Sequence, residues 1–434
     1  MLMSTISPWK HDFPIFSINA HPNLCYFDSA ATCLTPKHVA EAIYYYQCFS
    51  HANSHKSVYQ LSANATELVE QAREKVANFI GATANEGVVF TSSSTESINL
   101  VATSFALNRL TKHSNIIIGA AEHHANLLPW QALCKQVGAT LRIAPITSQG
   151  LIDVAALAKL IDSDTVLIAV NHVSNVLGVI NPIKKIAEVA HQKNVPVLVD
   201  GAQGVRYGPV NFTDLGCDFY VFSSHKIYGA TGCGVLVSKN KYIEQMSPFQ
   251  LGAGIVQSVS YQEAIFTQGP LKFEPGSHNV AGIVGLVEAI DYLNDITWSE
   301  ITAHTDATSA YLFQQLRELP YINPLIFWPN NEFHSNNVSD VVQCPSIFSF
   351  TMAGASCQDV AGFLDDSEIA LRFGTQCVEP LHHSLNLAAS LRVSLGLYNG
   401  FEDIDRLVTG IKSLNNLIQG PDIFDENNNI LDNE

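Results

Sequence analysis

Short apolar runs alternate with longer amphipathic segments from about Asn23 to Lys241. The runs have the length and composition of strands that are buried on both faces of a sheet. They predict strands at Gly87–Thr91, Asn115–Gly119, Thr140–Pro145, Val166–Val170, Val195–Val199, Phe219–Phe222 and Gly234–Val237. The segments between them predict helices at Ala65–Ile80, Thr95–Leu110, Leu127–Val137, Val154–Leu160 and Pro182–Lys193. This alternation predicts an α/β fold with right-handed crossovers and a mostly parallel sheet covered by helices on both faces.

The pattern changes beyond about Gly276, where helices and strands no longer alternate regularly. Helical spacing of apolar residues occurs in Val280–Leu293, Thr308–Leu319 and Gln358–Asp365. Strands are predicted at Ser346–Met352 and Leu391–Gly396, and a polar loop at Pro329–Asp340. These segments predict a second, smaller α+β domain.

Two domains follow from these patterns and from the length of 434 residues, which exceeds what one ordinary core holds. We predict a large α/β domain over residues 22–280 and a small α+β domain built from residues 1–21 and 281–420. The Asp/Asn/Glu-rich end, residues 421–434, is expected to be a flexible tail.

The formal net charge of −17 argues against nonspecific nucleic-acid binding and against attraction to anionic membranes. No apolar run is long enough to span a membrane, and Met1–Ser17 lacks the basic start and apolar stretch of a secretory signal. The nine cysteines are scattered and form no Cys-x-x-Cys pair, which is typical of neither a disulfide framework nor a zinc site. We therefore expect a protein of the reducing cytoplasm without a structural metal.

Polar side chains follow several of the predicted strands. Glu122-His123-His124 comes after one strand, Asn175 after another, and Asp200-Gly201-Ala202-Gln203 after a third. The carboxyl ends of parallel strands meet at one edge of the sheet, where ligands of such folds bind. Any one of these residues alone is compatible with a simple turn. Together they predict a site at this edge.

Ser92-Ser93-Ser94-Thr95 follows a strand and begins a helix. Hydroxyls and free N–H groups at a helix N-terminus bind phosphate, although the same residues also serve as ordinary helix caps. The segment is neither a P-loop nor a Gly-x-Gly-x-x-Gly, so a nicotinamide-dependent oxidoreductase is disfavoured. His123 is suited to stacking on a planar ring or to moving protons, and no third ligand at useful spacing supports a metal.

Lys226 lies in a Ser/Gly-rich turn, Ser223-Ser224-His225-Lys226-Ile227-Tyr228-Gly229, after an apolar strand. Asp200 ends the strand before it along the chain. An acid at a strand end and a lysine that is partly removed from water suit an enzyme that holds pyridoxal phosphate as a Schiff base. The carboxylate would keep the pyridine nitrogen protonated, and the lysine would form the imine.

Six motifs occur in the order found in the cysteine desulfurases, between about Tyr26 and Val408. They are Asp28-Ser29-Ala30-Ala31-Thr32, Glu122-His123-His124-Ala125-Asn126, Ser174-Asn175-Val176-Leu177-Gly178, Asp200-Gly201-Ala202-Gln203-Gly204, the lysine motif from Ser223 to Gly229, and Arg372-Phe373-Gly374-Thr375-Gln376-Cys377. The chain thus resembles this group of class V aminotransferases, which are fold-type-I pyridoxal phosphate enzymes. Within the group it is most similar to the bacterial branch that includes cysteine sulfinate desulfinase and selenocysteine lyase-like enzymes.

The resemblance implies a role for each matching residue. Lys226 would form the Schiff base, Asp200 would pair with the pyridine nitrogen, and His123 would stack on the ring and shuttle protons. Residues in contact with the phenolic oxygen would be Asn175 and Gln203, and residues that hold the phosphate would be Ser94, Thr95, Ser223 and His225. Ser277 matches a position that reaches the phosphate of the other subunit, which implies a homodimer with shared active sites.

Cys377 and Arg392 also have physical arguments of their own. Arginine offers a planar fork for an α-carboxylate, and Arg392 interrupts an apolar strand, although a strand arginine that faces solvent would give the same pattern. Asn175 would assist it in binding the substrate. Cys377 lies in a short polar segment, whereas most other cysteines lie in apolar ones. An accessible thiol near an electrophile can act as a nucleophile.

The predicted activity is the conversion of L-cysteine to L-alanine, with a persulfide left on Cys377 and a protein as a possible sulfur acceptor. Cysteine sulfinate or selenocysteine would be alternative substrates, because their leaving groups depart more readily. One alternative is a class V lyase or aminotransferase that uses Lys226 but not Cys377. Another is a weakly catalytic scaffold paralogue, since Ser92-Ser93-Ser94-Thr95 replaces the family's Arg-Gly-Thr-Thr.

Overall fold

The computed structural model describes residues 5–55, 57–327 and 346–419. Its strands are β1 (Cys25–Tyr26), β2 (Glu86–Thr91), β3 (Asn115–Gly119), β4 (Thr140–Ala144), β5 (Thr165–Asn171), β6 (Val197–Asp200), β7 (Phe219–Ser223), β8 (Gly234–Lys239), β9 (Val256–Val259), β10 (Ala264–Phe266), β11 (Ile322–Pro324), β12 (Ile347–Met352), β13 (Ile369–Ala370), β14 (Arg372–Gly374) and β15 (Ser390–Ser394). Its α-helices are α1 (Lys37–Tyr45), α2 (Gln60–Phe79), α3 (Ser94–Val101), α4 (Leu128–Val137), α5 (Val154–Leu160), α6 (Ile183–His191), α7 (Phe212–Leu215), α8 (Asn240–Gln245), α9 (Val280–Ile296), α10 (Trp298–Arg317), α11 (Cys357–Asp365), α12 (Glu379–Ser384) and α13 (Phe401–Gln419).

The large sheet has the strand order β2-β8-β7-β6-β5-β3-β4. Strands β3 to β7 pair in parallel, and β8 runs antiparallel to both of its neighbours, β7 and β2. The prediction of a mostly parallel sheet is therefore confirmed. Successive residues of β5 and β6 enter opposite cores: Ile168 and Val199 pack into one, Leu167 and Leu198 into the other. Because side chains alternate across a strand, both faces of the sheet are covered, as the continuous apolar runs predicted.

A second, antiparallel sheet has the strand order β11-β12-β15-β14. Its apolar side chains share a core with α10, α11 and α13, as the contacts among Phe350, Leu391, Leu312, Val360 and Leu407 show. This arrangement is the smaller α+β unit that the sequence predicted. The expected loop over residues 329–340 and the expected tail over residues 421–434 lie outside the described residues.

Two predicted helices differ most from the structure, while α2 begins five residues before the predicted Ala65. The single helix expected over Thr95–Leu110 consists of α3, a π-helical turn at Ala102–Ala106 and a 3-10 turn at Leu107–Arg109. Helix α10 begins ten residues before the predicted Thr308, where the Thr297 side chain accepts a hydrogen bond from the Glu300 N–H and caps the helix. The polar first half of α10 gave no apolar periodicity, so the pattern missed it.

Contacts around α9 and the N-terminal segment run across the predicted domain boundary. Ile283 and Leu286 of α9 pack into the same core as Val69 of α2, under the large sheet. Phe13 enters that core and its ring lies 4.9 Å from the ring of Tyr398. The division at residue 280 stays a prediction.

The sheet determines where the site residues lie. Strands β3, β5, β6 and β7 end, respectively, just before His123, at Asn171, at Asp200 and at Ser223. The N-terminus of α3 follows β2 at the same edge. Within the described residues, no helix is long and apolar enough to cross a membrane.

Candidate active site

A cavity of about 230 Å³ lies at the carboxyl edge of the large sheet. Nine of the residues predicted from the sequence line it: Ser94, Thr95, His123, Asn175, Asp200, Gln203, Ser223, His225 and Lys226. The remaining three, Ser277, Arg392 and Cys377, are described by the structure but do not form this wall. The sheet thus brings together side chains from five segments that are far apart in sequence.

Lys226 follows β7 in a short 3-10 turn and reaches into the cavity. Its Nζ donates a hydrogen bond of 2.9 Å to the carbonyl oxygen of Ala30. Removal from water, together with the positive charge of Arg392 and against the opposing effect of Asp200, lowers the pKa of Lys226 to about 8. A substantial fraction of this amine is therefore neutral near physiological pH and able to react with an aldehyde.

Asp200 ends β6 and is buried at the cavity wall. Its Oδ1 accepts a hydrogen bond of 3.0 Å from the Ala202 N–H. Burial raises the pKa of Asp200, and the nearby charge of Lys226 opposes that rise. A cationic ring nitrogen beside this carboxylate would offset its desolvation and keep it ionised.

Gln203 has a buried side chain whose Nε2 donates to the carbonyl oxygen of Ala30 at 2.7 Å. Ala30 thus anchors both Gln203 and Lys226. The Gln203 Oε1 has no hydrogen-bond partner among the described residues. A buried polar atom without a partner at a cavity wall is what a polar ligand would satisfy.

The N-terminus of α3 is the hydroxyl-rich part of the wall. Ser93 caps the helix by accepting from the Glu96 N–H at 3.2 Å, so Ser94 and Thr95 remain for the cavity. Ser223 joins them, because its Oγ accepts from the Ser94 N–H at 2.8 Å. The two sequence interpretations of this segment are compatible: Ser93 is the cap, while Thr95 and Ser94, whose Oγ accepts from Ser223 Oγ at 3.0 Å, line the cavity that an anion would occupy.

Gly234, the first residue of β8, allows this arrangement. A Cβ at this position would overlap the backbone of Ser93. The close approach of the two backbones lets the antiparallel strand β8 lie directly behind the N-terminus of α3.

The histidines of the cavity are neutral. Burial, reinforced by the charge of Lys226, lowers the pKa of His123 to about 4 and that of His225 to about 4. The His123 Nδ1 accepts from the Ala125 N–H at 3.0 Å, so the proton of the neutral ring lies on Nε2. The His225 Nδ1 lies 3.1 Å from the Thr32 Oγ1. Neutral imidazoles suit a stacking or hydrogen-bonding role.

Cys377 is exposed, on the loop between β14 and α12. Its backbone and that of Gln376 both adopt left-handed conformations, with φ angles of 58° and 52°. The Cys377 carbonyl oxygen accepts from the His124 N–H at 2.8 Å, and the Gln376 carbonyl oxygen accepts from Asn175 Nδ2 at 2.8 Å. Cys48 is the second exposed thiol among the described residues, so exposure alone does not single out Cys377.

Arg392 lies on β15 and is buried, so the interpretation as a strand arginine that faces solvent is wrong. Its Nη1 donates to the Asn175 carbonyl oxygen at 3.2 Å, and its Nη2 lies 2.8 Å from Asp28 Oδ1. The Nε atom is buried and has no partner among the described residues. The Arg392 guanidinium is held in place, but its Nε–H remains available to a ligand.

Glu122 is a buried residue to which the sequence analysis assigned no role. Its Oε1 accepts from the backbone N–H of Asn171 at 3.0 Å and from Asn171 Nδ2 at 2.9 Å. Its Oε2 accepts from Asn126 Nδ2 at 2.7 Å. Burial raises the pKa of Glu122 to about 8. Through these hydrogen bonds the side chain links the segment that follows β3 to the carboxyl end of β5. Asp28 and Arg372 also received no role, although both lie in motifs that the sequence analysis quoted.

Ser277 is exposed and lines a different cavity of about 190 Å³, together with Ser92, Glu96 and His278. Its predicted role concerns the partner subunit and remains a prediction. No group of three or more potential metal ligands occurs among the described residues.

Comparison with known proteins gives one consistent result. The family model described as aminotransferase class-V matches residues 25–407. A cysteine desulfurase of Shigella sonnei is 39% identical over 412 residues, which cover 94% of this chain and 98% of the relative.

Two solved structures are also similar. The S-sulfonic acid form of the cysteine desulfurase CsdA of Escherichia coli has a TM-score of 0.84 and 34% identity, covering 94% of this chain and 98% of that one. The apo structure of a cysteine desulfurase from Thermococcus onnurineus NA1 has a TM-score of 0.85 and 32% identity, with 95% and 98% covered. These matches confirm the resemblance and the fold inferred from the sequence. The chain belongs to the class-V aminotransferase family, among relatives that are cysteine desulfurases.

Proposed function

We propose that this protein is a pyridoxal-phosphate-dependent cysteine desulfurase that converts L-cysteine to L-alanine and places the sulfur on Cys377. One observation carries the proposal: a lysine of lowered pKa lines the same cavity as a buried carboxylate and a hydroxyl-rich helix N-terminus. Relatives named cysteine desulfurase, which match over more than nine-tenths of the chain, support the choice of substrate.

The residues of the cavity fit the cofactor. When bound, pyridoxal phosphate supplies an aldehyde that joins amines and a ring that withdraws electrons from the substrate carbon. Asp200 would hold the ring nitrogen, His123 would stack on the ring, and the unpartnered Gln203 amide would meet a polar ring substituent, with Asn175 nearby. The hydroxyls and N–H groups that would hold the phosphate belong to Ser94, Thr95, Ser223 and His225.

Lys226 acts as the base. Its neutral amine removes the proton from the substrate Cα, and the lowered pKa makes that neutral form available. The hydrogen bond to the Ala30 carbonyl oxygen fixes the direction from which Nζ approaches. His123 is the proposed proton shuttle: its neutral ring can donate the Nε2 proton, and the proton that Lys226 holds would then replace it.

Arg392 binds the substrate carboxylate through donors that the protein leaves unused. The Nε atom is buried and unpartnered within the described chain, and the guanidinium is held by the Asn175 carbonyl oxygen. A buried bidentate pair of this kind sets the orientation of the amino acid.

Cys377 accepts the sulfur. Its thiolate attacks the substrate Sγ, so an S–S bond forms while the Cβ–Sγ bond breaks and leaves its electron pair on Cβ. A proton then joins Cβ and completes the methyl group, the proton held by Lys226 returns to Cα to give alanine, and the transferred sulfur remains on Cys377 as a persulfide. Because Cys377 is exposed, a separate acceptor protein can reach that sulfur.

The test is a visible absorption spectrum of the purified protein before and after addition of L-cysteine, with alanine and sulfide assayed in parallel. We expect a cofactor band that shifts with the amino acid, and equal amounts of alanine and transferred sulfur. Borohydride reduction followed by peptide mapping should place the label on Lys226. A fully loaded protein whose spectrum is unchanged by cysteine, cysteine sulfinate and selenocysteine would refute the substrate class.

A second candidate is a lyase or aminotransferase of the same family that does not use Cys377. The position of Cys377 outside the cavity wall favours it. It predicts that turnover of cysteine survives loss of that thiol.

We also propose a homodimer in which Ser277 reaches the phosphate of the partner subunit. Several aromatic side chains near α1 are exposed, and monomeric proteins rarely expose so many together. We infer that a second copy of the chain packs against them. These side chains are Tyr44, Tyr45, Phe49 and Tyr59. Light scattering gives the mass, and loss of cofactor from a Ser277→Ala variant tests the shared site.

The cytoplasmic location inferred from cysteine usage remains part of this proposal.

A further inference from the structure

Asp28 lies between two arginines. Its Oδ1 is 2.8 Å from Arg392 Nη2, and its Oδ2 is 2.9 Å from Arg372 Nη2. The Arg372 Nε also donates to both oxygens, at 3.1 and 3.0 Å. One carboxylate therefore forms charge-assisted hydrogen bonds with both guanidinium groups.

The two arginines lie in different surroundings. The Arg392 side chain is 3% exposed, whereas that of Arg372 is 46% exposed. Asp28 thus supplies a negative charge to a buried guanidinium that would otherwise stand unpaired beside Lys226. Asp28 pairs with the Arg392 Nη2, whereas the Arg392 Nε has no partner in the described chain.

Arg372 connects this pair to the segment that carries the thiol. Strand β14 begins at Arg372, pairs with β15 so that Arg372 is opposite Arg392, and leads directly into Gln376 and Cys377. The far end of this segment is held by Asn175, which donates to the Gln376 carbonyl oxygen. Its near end is held by Asp28.

We propose that Asp28 is a positioning residue that holds Arg392 ready for the substrate carboxylate and, through Arg372, fixes the segment that carries Cys377. The inference rests on the proposed function and adds a residue that couples the two halves of the reaction. The alternative role for Asp28 is that of a competing anion, which substrate must displace from Arg392.

Asp28→Ala and Asp28→Asn distinguish these roles, since the asparagine keeps an oxygen acceptor but loses the charge. Positioning predicts that Asp28→Ala raises the KM for L-cysteine about tenfold or more, the usual effect of losing a charged hydrogen bond, with partial rescue in Asp28→Asn. Asp366→Asn, an exposed acid at the end of α11, is the matched control. A KM that falls in both Asp28 variants would overturn the proposal in favour of the competing anion.

The link to Cys377 is tested with two substrates. Both bind through Arg392, but cysteine sulfinate depends less on a thiol nucleophile, because its leaving group departs more readily. We expect Arg372→Gln to lower kcat for cysteine at least about tenfold more than kcat for the sulfinate. Equal losses on both substrates would overturn the coupling to Cys377.

A measurement independent of turnover is the rate at which iodoacetamide alkylates Cys377 in the holoenzyme. Release of the segment in Asp28→Ala and Arg372→Gln should change this rate severalfold, while the rate at Cys48 stays constant in the same samples. Unchanged alkylation of Cys377 in both variants would contradict the proposal. A wild-type protein inactive on cysteine would instead refute the proposed function, and the alkylation result would still stand by itself.

Discussion

The cavity at the sheet edge and the loop that carries Cys377 differ in what fixes them. The cavity is built from the ends of buried strands, and its charged groups, Lys226 and Asp200, are largely removed from water. Cys377 is exposed and has a left-handed backbone, its carbonyl oxygen accepts from the His124 N–H, and the carbonyl oxygen of the preceding Gln376 accepts from Asn175 Nδ2. Burial can tune the pKa values of the first region, whereas the second region leaves its thiol open to solvent. A single chain thus separates the chemistry that needs a dry site from the step that needs an accessible one.

Removal of the Lys226 amine is the strongest test of the role assigned to the buried region. We expect Lys226→Ala to lower cysteine turnover by at least about a thousandfold, because both the base and the cofactor link are lost. Alanine release and the cofactor spectrum are the measurements. Retention of more than a few per cent of activity would mean that the buried region is not where the chemistry occurs.

Removal of the exposed thiol should act on one substrate only. Cys377→Ala is expected to lower turnover of L-cysteine by about a hundredfold or more while turnover of cysteine sulfinate persists. Cys48→Ala removes the other described exposed thiol and serves as the matched control. Full activity of Cys377→Ala on cysteine would favour the lyase or aminotransferase alternative.

Glu122 tests the rigidity of the buried region. In Glu122→Gln an amide N–H₂ faces donors of Asn171 or Asn126, so one buried donor loses its acceptor. We expect the free energy of unfolding to fall by about 1–3 kcal/mol, measured by urea denaturation at about pH 9, where Glu122, with its pKa of about 8, is ionised. Glu318→Gln, at an exposed position, should leave stability within about 0.5 kcal/mol of the wild type. Equal stability of the two variants would mean that Glu122 does not hold the strand ends.

The pH dependence of cofactor loading is the mildest test. Only the neutral amine attacks an aldehyde, and the pKa of Lys226 in the ligand-free protein is lowered to about 8. The rate at which apoprotein takes up pyridoxal phosphate should therefore rise about tenfold per pH unit below pH 8 and level off above it. Stopped-flow absorbance gives the rate. A rate that still rises steeply above pH 9 would show that burial does not tune this lysine.

Sequence reasoning found the buried region more completely than the exposed one. Strands such as β5 and β6 are apolar runs buried on both faces. The polar residues at their carboxyl ends were therefore enough to predict which edge of the sheet carries the site. Helix α13 was not predicted, although Ile404, Leu407 and Ile411 recur at helical spacing, so its signal was present.

Arg392 and Asp28 show what the sequence could not supply. Their contact joins residues 364 positions apart, and no local pattern reports such a pairing. For this reason the burial of Arg392 could not be distinguished from exposure. The same holds for Glu122, whose role depends on the distance between two strand ends.

The left-handed backbone at Cys377 places its thiol at a position where an L-amino acid is conformationally disfavoured by about 1–2 kcal/mol. Glycine would relieve that strain, but it would also remove the thiol. Under the proposed role of Cys377, backbone stability and sulfur transfer therefore place opposite demands on this one residue.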